Sequence, residues 1–300
     1  MSASAASHAA AEQTQPLLAP GGEEEGLQHQ RHYARGGEHL SGETEAEEEE
    51  RRVLRETDRD STPWRVFRSN NMSGSAWVVQ IFAVAFVALV WSLVFSKMPW
   101  NNLPLFGYHP LLQSLGLVFI SQSILVLQPT TTSRPKSKAS ALLLHQLIHL
   151  GIVLPLFTAG AIIMWYLHSK PGTQHFISWH GTLGFAAVII AWVQAAVGAA
   201  TVWGNGTLLG GPNKAKGLWK WHRLSGYILL PLFLLTFLLA ILETTWMQGA
   251  TSGKERAVIV LALVGTFLGG AARVQTSKLP KKTDFVPAGR RKLSDDSFEG

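Results

Sequence analysis

Leu142–Gly151 reads LLLHQLIHLG, two histidines four residues apart in an apolar run. Positions i and i+4 share a helix face, so the pair has the spacing with which a zinc protease motif begins. In that motif the residue after the first histidine is a glutamate that acts as general base. Here it is Gln146, which cannot take a proton, and no glutamate or third ligand follows nearby. The stretch therefore reads as a helix that needs histidine for a different chemistry. It lies inside an apolar segment, 141–167, longer than the about 20 residues that cross a hydrocarbon core.

Five more such segments lie near 77–96, 103–127, 176–202, 221–243 and 257–275. Between Asn71 and Ser133 only Lys97 carries a full charge, which a soluble bundle with wet outer faces would not tolerate. The predicted fold class is an all-α membrane protein with six transmembrane helices, helices two to five forming a central four-helix bundle. Composition agrees, since 47% of the 300 residues are hydrophobic and only 15% charged, too apolar for an ordinary soluble enzyme. The absence of cysteine excludes disulfides, thiolate ligands, Fe–S clusters and a catalytic thiol. Metal and redox chemistry then falls on histidine and carboxylate.

Charge is unevenly spread: 14 of the 20 acidic residues lie within the first 60 positions. Residues 1–74, rich in Ala, Gly, Glu and Gln, bury too little apolar surface to order themselves and read as a disordered cytosolic tail. Residues 75–276 form the six-helix region and 277–300 a second cytosolic tail. No apolar segment precedes residue 77, so no cleavable signal peptide is expected and the first spanning helix must target the chain. Arg134, Lys136 and Lys138 fall between helices two and three, and Lys214, Lys216, Lys220 and Arg223 around the gap before helix five. The positive-inside rule then puts both termini in the cytosol. These cations set topology between apolar runs, so a nucleic-acid partner is set aside and membrane lipid is the expected environment.

Of the 11 histidines, His8, His29, His32 and His39 belong to the tail. His109, His145, His180 and His222 each fall near the start of helices two, three, four and five. Successive helices run in opposite directions, so His109 meets His180 on the non-cytosolic side and His145 meets His222 on the cytosolic side. Buried ionisable groups in a membrane are costly, which makes two layers of them a functional hypothesis. A facing pair of imidazoles, without cysteine and with no intramembrane carboxylate expected nearby, suits axial ligation of a haem iron from both faces. Zinc wants about four ligands and each layer offers two dependable ones. The alternative is a non-haem helical transporter or scaffold that uses the histidines for divalent metal or for structure. His149 reads equally as a spare ligand or a packing residue, and His168 and His175 flank a non-cytosolic loop.

The motifs YHPLL at His109, LLHQLIH at His145, HFISWHG ending at Gly181 and KWHRLSGY at His222, separated by 36, 35 and 42 residues, resemble the cytochrome b561 family over about residues 75 to 276. That resemblance implies two haems b, in the four-helix bundle, held by the pairs His109 with His180 and His145 with His222. It also implies the reaction: a small cytosolic reductant, usually ascorbate, gives an electron that crosses to a non-cytosolic acceptor such as monodehydroascorbate or a ferric chelate. A stand-alone member, and a homodimer, fit the same resemblance.

Gly181, Gly184 and Gly226 would let either a flat macrocycle or a neighbouring helix come close. Gln80, Gln113, Gln122 and Gln194 are the other intramembrane polar groups and read as links between helices. Asn71 and Asn205 head sequons on the expected cytosolic side, where no sugar is added. The segment EQTQPLL, Glu12–Leu18, resembles an acidic dileucine sorting signal and points to a vacuolar or endosomal membrane over the cell surface. RRKLS, Arg290–Ser294, reads as a phosphorylation site.

Overall fold

In the computed structural model, residues 44–59 and 61–275 are described, and among them every regular element is helical. The sorting and phosphorylation segments lie outside the described residues. The chain divides into two compact units, 1–55 and 56–300. Helix α1 (Glu45–Arg59) runs across that division. At its start Thr44 Oγ1 accepts from the Glu47 N–H at 3.4 Å and Glu47 Oε2 from the Thr44 N–H at 3.1 Å, a reciprocal cap.

In the second unit come α2 (Pro63–Asn71), α3 (Ala76–Lys97), α4 (Leu105–Leu125), α5 (Pro135–Leu167), α6 (Trp179–Val202), α7 (Pro212–Glu243), a short α8 (Thr245–Ala250) and α9 (Gly253–Ala271). Four rods, Ala76–Lys97, Pro135–Leu167, Trp179–Leu209 and Pro212–Glu243, are long and apolar enough to cross a membrane by length and composition. The polar groups His109, Gln113 and Gln122 interrupt α4, and Lys254, Glu255 and Arg256 open α9. These two complete the six rods expected from hydropathy. Large apolar side chains such as Ile81, Ile162, Ile228 and Leu261 stay exposed on the outside, as a lipid-facing surface requires.

Two boundaries differ from the apolar runs. Helix three starts at Pro135 and helix five at Pro212, ahead of the apolar residues, because proline at the first turn gives up an N–H that had no partner anyway. His145 and His222 therefore each stand ten residues past an opening proline, in the third turn and not the first or second. Hydropathy detects where lipid begins, while the helix begins where the backbone can start one.

A membrane gives little hydrophobic drive between helices, so close packing over small residues must hold the bundle. On α9, Gly265 and Gly269 are four apart. A Cβ at Gly265 would overlap the Phe82 ring of α3, and one at Gly269 would reach within 2.9 Å of Val79 Cγ2. Gly116 on α4 likewise leaves no room between its backbone and the Phe157 ring of α5. α6 packs along α7, and Phe86, Leu117, Leu154, Phe157 and Phe233 are buried at the centre.

The composition-based tail extended to residue 74, yet α1 and α2 lie within it. Order in its last part comes from specific partners. Asp58 Oδ2 accepts from the Lys136 N–H at 2.9 Å and Oδ1 from the Ser137 N–H at 2.8 Å, so Asp58 caps α5 from a distance in sequence. Ser140 Oγ donates to the Ser61 carbonyl at 2.7 Å, and Val66 is buried with Val126 and Ala141. Asn70 Nδ2 donates to the Val126 carbonyl at 2.7 Å, and Asn71 Nδ2 to the Gln122 carbonyl and side chain at 2.9 Å each. Burial pushes the Asp58 carboxyl up, but the two backbone N–H groups, the Ser61 hydroxyl and the Lys136 charge together hold it below the usual carboxylate range.

Two outcomes are expected. Gly265→Val should lower the thermal unfolding midpoint in detergent, with overpacking costing about 1–3 kcal/mol, and an unchanged midpoint would contradict the close α3–α9 contact. Asp58→Ala should cost on the order of 1 kcal/mol as a lost cap. Because a depressed carboxyl stabilises only while ionised, the wild-type advantage should be complete above the ordinary carboxylate range near pH 4 and should vanish as pH falls below it. Amide exchange of α2 across that window checks it.

Candidate functional site

His109 sits on the second turn of α4 and His180 on the first turn of α6, and their ring centroids are 6.0 Å apart at 75°. His109 Nδ1 lies 3.0 Å from the Gly160 carbonyl of α5, and His180 Nδ1 2.9 Å from the Thr236 carbonyl of α7. A carbonyl only accepts, so each Nδ1 carries the proton and each Nε2 keeps a free lone pair. Metal–nitrogen bonds of about 2 Å, with half a ring behind each nitrogen, would put two imidazoles on one metal with centroids roughly 6 Å apart.

This pair opens onto a cavity of about 450 Å³ whose walls include Phe86, Val90, Phe106, Val188 and Phe237. That size is within the range of cofactor sites, which run about 300–1,000 Å³ and are mostly apolar. A flat apolar group carrying a metal at its centre fits the paired nitrogens and the apolar walls. Gln113 donates to the Phe157 carbonyl at 3.1 Å and lies over Gly160, where a Cβ would overlap its amide. α4 and α5 are thus locked beside His109.

Nearer the starts of α5 and α7 the structure gathers three histidines. His145 and His149 share a face of α5 with ring centroids 4.4 Å apart, and both lie within electrostatic reach of His222 on α7. Ser123 of α4 holds two of them: its carbonyl is 2.9 Å from His145 Nδ1, and its Oγ is 2.6 Å from His149 Nδ1. Ser123 Oγ also lies 3.0 Å from the Ile120 carbonyl. His222 is held differently. Its Nδ1 is buried without a hydrogen-bond partner, and its ring lies against Gly198 of α6, where a Cβ would come within 2.7 Å of Cε1.

His149 opens a π-helical turn, His149–Val153, in which the Leu154 N–H bonds back to the His149 carbonyl. Pro155 follows; it has no N–H for the Gly151 carbonyl and its ring would crowd that group, and the wider turn relieves both.

His168 and His175 reach the rim of the outer cavity. His175 stacks on Trp165 with centroids 4.1 Å apart, and His168 Nδ1 bonds to the Gln174 carbonyl at 2.8 Å. Gly184 and Gly226 serve helix packing: a Cβ would come within 3.2 Å of Thr236 and 3.3 Å of Gln194 respectively. Gln80 and Gln122 exchange amide hydrogen bonds at 2.9 and 2.8 Å, and Gln194 donates to the His222 carbonyl.

One expectation is corrected. Sequence reasoning expected no carboxylate near the paired histidines, but Glu243, at the end of α7, accepts from the backbone N–H groups of Trp179 and His180 at 3.2 and 3.1 Å. Its signal was available, as it is the only acidic residue between Ser61 and Lys254. The divalent-metal alternative needs three or four converging ligands. Among the described residues no group of three or more His, Asp or Glu side chains is arranged to hold a metal ion.

Residues 108–248 match the family model for eukaryotic cytochrome b561, a stretch that contains all four expected ligand histidines. No curated protein shows significant similarity to the chain. The Gly198 contact is open to test: Gly198→Val should displace the His222 ring and remove whatever binds there while sparing the His109–His180 level. Cofactor counted per chain should fall below the wild-type value, and a full complement would contradict the placement of His222.

Proposed function

The chain belongs to the cytochrome b561 family, and from that membership we propose that it moves single electrons from cytosolic ascorbate to a non-cytosolic acceptor, monodehydroascorbate or a ferric chelate. Family membership makes it a membrane oxidoreductase that transfers electrons through haem b. The finer reading assigns one haem to His109 and His180 and a second to His145 and His222. Its strongest support is the outer pair, two imidazoles 6.0 Å apart whose Nδ1 atoms are both engaged by helix carbonyls. Each haem, when bound, supplies a one-electron couple at its iron.

The protein's own part is to bind and orient. The Gly160, Ser123 and Thr236 carbonyls fix ring orientation and tautomer, and a hydrogen bond of this kind raises the basicity of the ligating nitrogen. The apolar walls of the outer cavity suit the flat apolar face of the group. Phe157 and Phe233 stack with centroids 4.6 Å apart, on α5 between His149 and Gly160 and on α7 between His222 and Thr236. They fill the space between the levels with packed side chains. Lys136, Lys138, Lys214, Lys216 and Lys220 give the cytosolic end a positive field that suits an anionic donor. Both termini are assigned to the cytosol and the protein to a vacuolar or endosomal membrane.

A dithionite-reduced minus oxidised spectrum of the purified protein, with haem counted by pyridine extraction, tests this reading. Sharp low-spin b-type bands at two haems per chain are expected. His145→Ala should lose one haem and His149→Ala none, and a colourless wild-type protein would end the proposal.

A further inference from the structure

Among the described residues Glu243 is the one Asp, Glu, Lys or Arg that lines the outer cavity, and the electron path does not use it. It ends α7 and lines the outer cavity. Its Oε1 accepts from the Trp179 N–H at 3.2 Å and its Oε2 from the His180 N–H at 3.1 Å. Ser178 Oγ takes the Gly181 N–H at 3.1 Å, and the Ser178 carbonyl takes the Thr182 N–H at 3.1 Å. The opening N–H groups of α6, which have no partner one turn back in their own helix, are therefore all engaged, two of them by a neighbouring helix. Two turns earlier on α7, the Thr236 carbonyl holds the His180 ring. α7 grips His180 by backbone and by side chain. By contrast, α4 opens at Pro104 without a side-chain cap, and His109 is held by the Gly160 carbonyl.

We propose that Glu243 is a positioning residue of the outer centre, fixing the first turn of α6 so that His180 meets His109, and that its charge favours the oxidised state of the metal held there. The inference rests on the assignment of His109 and His180 as a haem pair. Adding one electron to that iron lowers its charge by one, with no bond broken and no proton moved. A fixed negative charge held on the backbone N–H of the ligand residue itself stabilises the more positive state and so lowers the midpoint potential. Two charge-assisted N–H bonds and the positive end of the α6 dipole offset the cost of holding a carboxylate there.

The test uses full-length protein in nanodiscs, with Glu243→Gln, Glu243→Asp, Glu243→Ala and Glu255→Gln, the last removing a carboxylate from the capping box of α9. Two readouts are taken: a redox titration against dithionite followed by b-type absorption, and amide exchange of the peptide spanning 176–184. Glu243→Gln loses the charge and keeps one of the two acceptor oxygens, so it should raise one of the two midpoints and speed exchange at only one of Trp179 and His180. Glu243→Ala should raise the same midpoint and speed exchange at Trp179 and His180. Glu243→Asp keeps the charge but falls one methylene short, so it should exchange fast with a potential near wild type. Glu255→Gln should move neither midpoint. Unchanged midpoints in both the Gln and Ala variants, with both haems retained, would overturn the electrostatic role, and unchanged exchange in Glu243→Ala would overturn the clamp. A wild-type protein without haem would instead defeat the functional reading, and the exchange comparison would still decide whether Glu243 fixes α6.

Discussion

An imidazole inside a membrane bundle has two nitrogens to satisfy and almost no water to do it with. Four of the five histidines at the two levels meet this constraint alike, giving Nδ1 to an oxygen on a neighbouring helix: Gly160, Ser123 by carbonyl and hydroxyl, and Thr236. A helical carbonyl already accepts one bond from the N–H four residues on, so the imidazole takes its second lone pair. That demands close helices, and the small residues are placed accordingly. Gly160 lets Gln113 lie on α5, Gly116 admits Phe157, and Gly184 brings α6 onto Thr236. Helix spacing, ring tautomer and the direction of each free Nε2 are consequences of one requirement.

The two levels are not built alike. The outer one has a paired geometry, an apolar cavity and a carboxylate at the foot of one ligand helix. The other has two histidines held by Ser123, and His222 beside them with a buried nitrogen that has no partner. Unequal surroundings would give redox groups held at the two levels unequal potentials, because charge and hydrogen bonding near a metal tune it.

Hydropathy made the six rods legible, and the sequence spacing of His109, His145, His180 and His222 made the outer pairing legible, since antiparallel succession leaves few ways to match them. Three things were not. The helix starts at Pro135 and Pro212 lie among lysines, where composition carries topology and not secondary structure. The order of residues 58–71 depends on Asp58 and Asn70 reaching partners more than fifty residues away, which composition does not reveal. Glu243 reads as an end-of-helix residue at a membrane boundary. Only the fold brings the end of α7 to the start of α6.

The π-helical turn at His149–Val153 has a further effect, on phase. A turn that accommodates one residue more than an α-helix sets everything beyond it back by about 100° relative to what precedes it. The half of α5 that carries His145 and the half that carries Phe157 and Gly160 are therefore two faces set at an angle to one another. A straight helix would tie the two histidine levels to one rotational register. With the offset between them, each level is aimed at its own neighbours on α4 and α7.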